Sequence, residues 1–499
     1  MRSKIMMRKI IHFAMCLSVG VFGGGILLLD LPLKWKMVFL ATLGITGLML
    51  IARNPRRILT FTLALTIPTY LGKGLIDRSG SFSLANGVAI NLSDVLAVAL
   101  LLIFVAKLAI RQAEVHLFPL STTSALVWLL ASSLSLFTAR DTELAMFQLV
   151  NMSKLLLLYW IVANSVSHET DVSWVIAGLM LGMAFQALVG IYQGVTGQPV
   201  GLYILDETTT VKQQQMSEGV VSRVQGTIGH PNSYAMYVTT VIPFALTVLF
   251  SRARALYKVL TGIAVGLGCL ALVYSLSRGA WVSLLATVSI ILALAVQRKR
   301  ISPQAAVLIA VTCSLILLGI TLHGPDIILS RLTSDDQGSA HSRVTMAQTA
   351  LAIIEDHPWL GVGLNNYTLV SPQYDTTTLV NQAVVHNAYL FIAAETGLVG
   401  LTAFLGLLAT LLTQAWWVIN RANDDTVWVA SVGGFCAFIA MALHSTVDYG
   451  LFGSSQTIAQ FWLLAGLSAA LVQRLCCEQQ EIGRVSYGSN MLPRGFHSY

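Results

Sequence analysis

Fourteen apolar segments, most of them long enough to cross a bilayer as a helix, recur along the 499 residues of this chain. They lie near 11–29, 37–52, 58–72, 93–110, 118–137, 144–163, 173–194, 234–250, 258–276, 280–297, 303–322, 388–416, 426–444 and 455–473. Apolar residues make up 55% of the chain and charged ones 11%, with a mean hydropathy of +0.72, which excludes a soluble enzyme. The pattern predicts an all-α membrane protein, a polytopic helical bundle of about 12–14 transmembrane helices.

The net charge of +7 would suit nucleic acid, but its placement along the chain says otherwise. With the amino terminus in the cytoplasm, 19 Lys and Arg fall on inside segments and 10 on outside ones, so both termini are expected inside. Clusters such as Arg53/Arg56/Arg57, Arg252/Arg254/Lys258 and Arg298/Lys299/Arg300 read as anchors beside anionic lipid. No nucleic-acid motif remains. The six cysteines show neither metal-like nor disulfide-like spacing and read as packing residues. The basic amino end precedes an apolar run without a small-residue cleavage site, so it reads as an uncleaved first helix.

Two long outside loops interrupt the short connections. They divide the chain into an N-terminal bundle (1–195), a loop (196–233), further helices (234–322), a large extracytoplasmic loop (323–387), C-terminal helices (388–473) and a polar, mobile cytoplasmic tail (474–499). Within the large loop, apolar residues at 344, 347, 351 and 354 have helical spacing, and Asp356-His357-Pro358 should stop that helix. No internal repeat is apparent.

Four features stand apart from lipid-facing sequence. Arg223 through Asn232 (RVQGTIGHPN) combines turn residues with Arg223 and His230, more than a plain turn needs. Ser275 through Trp281 (SLSRGAW) puts Arg278 at or near membrane depth, where an arginine turns to a cavity or an anion; its planar fork suits phosphate. The rival reading is a turn with a snorkelling arginine. The loop from Arg331 through Arg343 to His357-Pro-Trp-Leu-Gly-Val-Gly-Leu-Asn-Asn-Tyr adds another outer cation, while Gly361 and Gly363 permit close backbone approach. Asp335-Asp336 lacks a third ligand at fixed spacing and reads as a solvated turn, not a metal site. Finally, His386-Asn387 opens a long apolar helix at the water boundary. A histidine there can act as general base for a hydroxyl or merely cap the helix, and Glu395 lies deeper.

His386-Asn387, nine residues, then Gly397 and Gly400 resembles the signature of bacterial O-antigen ligases and their polymerase relatives. The HPWLGVGLNNY, QGTIGHPN and SRGAW stretches are similar to other motifs of that superfamily, in the same order, and together cover about 220–450. The resemblance implies a GT-C-like fold in the bacterial cytoplasmic (inner) membrane. It also implies transfer of a glycan from a polyprenyl diphosphate to an acceptor hydroxyl on the outer face, in cell-surface polysaccharide synthesis. It further implies inversion, with no metal, no cofactor and no sugar nucleotide. Arg223 and Arg278 would hold the donor diphosphate and His386 would activate the acceptor. Arg343, His230, Asn387, Gly361 and Gly363 would line the substrate site. Fourteen spans exceed the twelve common among ligases.

A transporter or flippase is the rival from another class, though the unusual residues gather in outside loops and not at the midplane. A relative glycosylating secreted proteins is a further alternative. If the enzyme reading holds, Arg223, Arg278, Arg343 and His386 should converge.

Overall fold

The structure, a computed structural model, describes residues 44, 54–69, 72–78, 85–111, 114–200, 212–216, 219–311, 339–375 and 384–489. The span expected at 11–29, the one at 37–52 apart from Gly44, most of the one at 303–322, and Arg331, Asp335 and Asp336 lie outside these residues. Helices α1 (Pro55–Thr66), α2 (Leu92–Ala109), α3 (Pro119–Leu134), α4 (Thr142–Ser165) and α5 (Glu169–Thr196) form the first half. Then follow α6 (Pro231–Leu249), α7 (Ala255–Ser275), α8 (Arg278–Gln297), α9 (Ser339–Asp356), α10 (Tyr367–Val370), α11 (Ala388–Arg421), α12 (Asp425–His444) and α13 (Ser455–Ser489). Ten helices among the described residues are long and apolar enough to cross a membrane. The protein is therefore a polytopic, all-α membrane protein.

The sequence reading differs from this in four places. The segment expected at 58–72 is a 12-residue helix ending at Thr66, roughly 18 Å long and too short to cross a bilayer alone. Pro68 follows in a turn, and Gly72 already begins a strand. Two antiparallel hairpins were not anticipated: β1 (Gly72–Asp77) with β2 (Gly87–Asn91), and β3 (Lys212–Met216) with β4 (Gly219–Arg223). Each is a short two-stranded ribbon in a connection, where no apolar alternation marks it. The expected polar tail from 474 is helical to Ser489, continuing α13. In α9 the expected helix and its stop at Asp356 are present, but the buried side is Ala350 and Ile353, whereas Val344 and Leu351 are exposed.

Burial sorts the helices. The spanning window of α6 is 83% buried and that of α2 only 22%, so α6 is the central helix and α2 turns Val95 and Leu102 outward as a lipid-facing helix does. Around α6 pack α5, α7, α8 and α12. Small residues permit the closest approaches: a Cβ on Gly178 of α5 would lie 2.4 Å from the Phe61 carbonyl oxygen of α1. The cysteines described at 269, 436, 476 and 477 form no disulfide among the described residues; Cys436 is buried, as a packing residue is, whereas Cys477 is exposed.

The two ends of the bundle differ in chemistry. At one end, Arg56 and Arg57 each reach Asp171 at 2.7 Å, Arg300 pairs with Asp425, and the Arg300 guanidinium lies 3.8 Å from the centre of the Trp428 ring. The opposite end collects the carboxyl ends of α5, α7 and α12 and the amino ends of α6, α8 and α11, with the four motifs among them.

Candidate functional site

Asp448, in the turn between α12 and α13, is the centre of the motif end. Its Oδ2 lies 2.9 Å from Nδ1 of His386 and accepts a bond from Asn232 Nδ2 at 2.5 Å, while Oδ1 accepts the Gly450 amide at 2.7 Å. Burial opposes ionisation of this carboxyl. The bond to His386 and the nearby imidazoles of His444, His386 and His230 win, holding it well below the usual carboxylate range. An ionised carboxylate only accepts, so Nδ1 of His386 carries the proton and Nε2 is the basic nitrogen.

Arg223, the last residue of β4, donates from Nη2 to Asn232 Oδ1 at 2.8 Å and from Nε to the Ser275 carbonyl at 3.0 Å. Asn232 thus links Arg223 to Asp448. Burial lowers the Arg223 guanidinium to about 10; Asp448 opposes this, and the positive charges of Arg343 and Arg278 add to it. Arg343 of α9 is lowered by burial too, against Asp448 and with Arg278. Arg278 starts α8 and, with Ser277, Arg343, His444, Val447 and Asp448, lines a crevice of about 20 Å³, room for roughly one water. Gly279 makes that crevice possible, since a Cβ there would lie 2.6 Å from Val447 and 3.1 Å from the His444 ring. Tyr449 stands edge-on to His386 with ring centres 5.4 Å apart, and burial pushes its phenol up to about 12.

The structure therefore brings Arg223, Arg278, Arg343 and His386 to one cluster. His230 lies at its margin as the residue before α6, with its ring 6.5 Å from Tyr449. Asn387 is engaged otherwise: its Oδ1 accepts the Tyr389 and Leu390 amides at 2.9 and 3.0 Å, capping α11, and its Nδ2 donates to the Thr446 carbonyl at 3.0 Å.

Gly361 and Gly363 lie on a different feature. Helix α11 breaks at Gly397, whose φ of 67° only glycine takes without strain. Residues 358–363 dock on the break by their backbone. Val362 and Gly363 donate to the carbonyls of Ala394 and Glu395 at 2.9 and 3.0 Å, and the Pro358 carbonyl receives the Leu398 amide at 2.7 Å. A Cβ on Gly397 would lie 2.0 Å from the Trp359 carbonyl oxygen, and one on Gly361 would lie 2.4 Å from the backbone of Glu395. These glycines let two motifs meet backbone to backbone and do not line the crevice at Asp448.

The RVQGTIGHPN stretch is fixed in turn by two buried glutamines of α5. Gln193 Oε1 accepts the Gln225 and Gly226 amides at 3.1 and 2.9 Å, and Gln186 Oε1 accepts the Thr227 amide at 2.9 Å. Both glutamines have a relative exposure of 0%, so unpaired they would be costly, and the loop satisfies them.

Sequence reasoning missed Asp448 and His444 and passed over Asn232. A usable signal was present. Histidine and aspartate four residues apart, just where an apolar segment ends on the side of the other motifs, are ionisable groups at membrane depth with a partner nearby.

Residues 263–405 match the family model described as O-antigen ligase, and no curated protein matches the chain. The matched stretch contains Arg278, Arg343, His386 and the α11 break. It supports the resemblance to the O-antigen ligase and polymerase superfamily.

Proposed function

We propose that this protein is a membrane glycosyltransferase that moves a glycan from a polyprenyl diphosphate to an acceptor hydroxyl on the outer face of the bacterial cytoplasmic membrane. The observation that carries the reading is the meeting of Arg223, Arg278, Arg343 and a carboxylate-held His386 at one end of the bundle, opposite the end where Arg56, Arg57 and Arg300 pair with Asp171 and Asp425. A transporter would gather its charged groups near the bilayer midplane, whereas these meet at one end of the bundle. The cation placement favours both termini in the cytoplasm.

In this mechanism Nε2 of His386 takes the proton of the acceptor hydroxyl as that oxygen bonds to the anomeric carbon. The bond from that carbon to the diphosphate breaks, and its electron pair leaves with the diphosphate. Attack opposite the leaving group inverts the configuration. Arg223, Arg278 and Arg343 meet the charge that develops on the diphosphate, in a partly dry setting where such donors act strongly, so the reaction needs no metal. Asp448 keeps His386 in the basic tautomer and stabilises the imidazolium once it forms. A crevice of about 20 Å³ is far smaller than a diphosphate, so the donor binds at its mouth or with α9 and its Arg343 displaced outward.

Reconstitution of the purified protein with a polyprenyl-diphosphate repeat unit, in chelator, tests the reading. A ladder of lengths from donor alone identifies a polymerase, and a single shifted band that requires an added acceptor identifies a ligase. Donor binding without product under both conditions would overturn glycosyl transfer.

A further inference from the structure

A second cavity, of about 460 Å³, lies between the β1–β2 hairpin, α2, α3, α4, α11 and α13. That volume is in the range of small-molecule sites. Among the described residues its lining holds no arginine. One wall is aromatic: Trp128 of α3 and Trp462 of α13 stack with ring centres 6.0 Å apart at 22°, and Phe391 and Phe452 continue the surface. The other wall, mostly from α4, presents Gln148, Asn151 and Lys154.

The polar groups indicate the occupant. Lys154 already pairs with Asp94 at 2.8 Å and donates to the Ala89 carbonyl at 2.7 Å, and the Glu395 side chain accepts the Tyr367 amide at 3.2 Å. With Lys154 matched by Asp94 and no other cation in the described lining, the cavity offers a phosphate no free positive partner. Gln148 has no hydrogen-bond partner among the described residues. The indole nitrogens of Trp128 and Trp462 and the Ser132 hydroxyl are also without one, although these three residues are 4%, 2% and 1% exposed. Unpartnered indole N–H and amide groups beside the Phe391 and Phe452 rings, with no net positive charge in the described lining, fit a neutral polyhydroxyl ligand: hydroxyls bond to the amides and indole N–H groups, and ring C–H surface lies against the aromatic wall.

The cavity borders the cluster described above. Helix α11 supplies Phe391 and Glu395 to it, with His386 just ahead of the same helix. The turn before α13 carries Asp448 and Tyr449 on one side and Phe452 on the other, and the Phe452 amide donates to the Tyr449 carbonyl at 2.9 Å. We propose that this cavity is an oligosaccharide subsite that holds the glycan bearing the acceptor hydroxyl while its end reaches His386. The role as acceptor subsite rests on the glycosyltransferase reading; sugar binding in the cavity does not.

The test is calorimetric titration of the full-length protein in detergent with one- and two-repeat oligosaccharides released from the host's surface polysaccharide, free of lipid and diphosphate. Binding should weaken roughly tenfold or more in Gln148→Leu and in Trp462→Phe, and persist in Arg278→Ala. The half-exposed position of Gln148 keeps the test valid should Trp462→Phe fold poorly. Equal affinity in wild type and both cavity variants, or loss of binding in Arg278→Ala alone, would overturn the subsite. So would a preference for a neutral peptide over the sugar. Cavity-dependent sugar binding in a protein that makes no product from a polyprenyl-diphosphate donor would instead sink the transferase reading and leave the sugar site standing.

Discussion

The imidazole Nδ1 of His386 and the carboxylate Oδ2 of Asp448 stand 2.9 Å apart, although 62 residues separate them in the chain. Asp448 is 1% exposed and His386 24%, so the pair has a buried, fixed partner and a reachable one. That asymmetry suits a base that must meet a substrate while its orientation stays set.

Replacing Asp448 by Asn would offer an amide to Nδ1 and favour the wrong tautomer. Turnover in proteoliposomes is expected to fall by about 10²–10⁴-fold, as for His386→Ala, with donor KM little changed. Normal turnover in either variant would remove His386 from the role of base.

Arg278→Lys keeps the charge and loses the two-pronged fork. A fall of about 10²–10³-fold in kcat, with a higher donor KM, is expected, and Arg223→Lys should lose its bond to Asn232 as well. Product formation at the wild-type rate in Arg278→Lys would mean that the arginine holds the fold and not the diphosphate.

Gly397→Ala should destabilise the protein by more than the ~1–3 kcal/mol typical of backbone strain, because φ is 67° and the Trp359 carbonyl oxygen lies 2.0 Å from the new methyl carbon. On the same helix, Gly406 has nothing within 4 Å of a new Cβ, so Gly406→Ala should leave the Tm unchanged. Equal Tm values for the two variants would contradict the docking of residues 358–363 on the break.

The depressed pKa of Asp448 sets the sign of a pH effect. Its stabilising contribution is complete above the unfolded carboxylate value of about 3.9 and is lost as pH falls through the lower folded value. The difference in Tm between wild type and Asp448→Asn should therefore persist at pH about 4.5 and shrink only well below it. A gap that closes at pH about 6 would show that another group, and not this carboxyl, supplies it.

Much of this arrangement was legible in the chain. Long apolar runs announce helices because lipid leaves the backbone no other partner, and arginines among them need a stated reason. The four motifs were visible because Arg223, Arg278, Arg343 and His386 are out of place beside apolar sequence. Asp448 was less visible because a lone aspartate after an apolar run looks like a solvated turn, and only the fold shows Asn232, 216 residues earlier, bonded to it. The jobs of Gly361 and Gly363 were hidden for a related reason. A glycine reports that something comes close, and whether that something is a substrate or the backbone of α11 depends on distant packing.

The break in α11 also sets a phase. Nine residues separate Asn387 from Gly397, and each residue of an α-helix turns the chain by roughly 100°. One residue added or removed there would leave the helix intact yet point its break a quarter-turn or more away from residues 358–363. The interval between the histidine and the first glycine thus works as an angular ruler, measuring the rotation of His386 relative to the rest of the bundle.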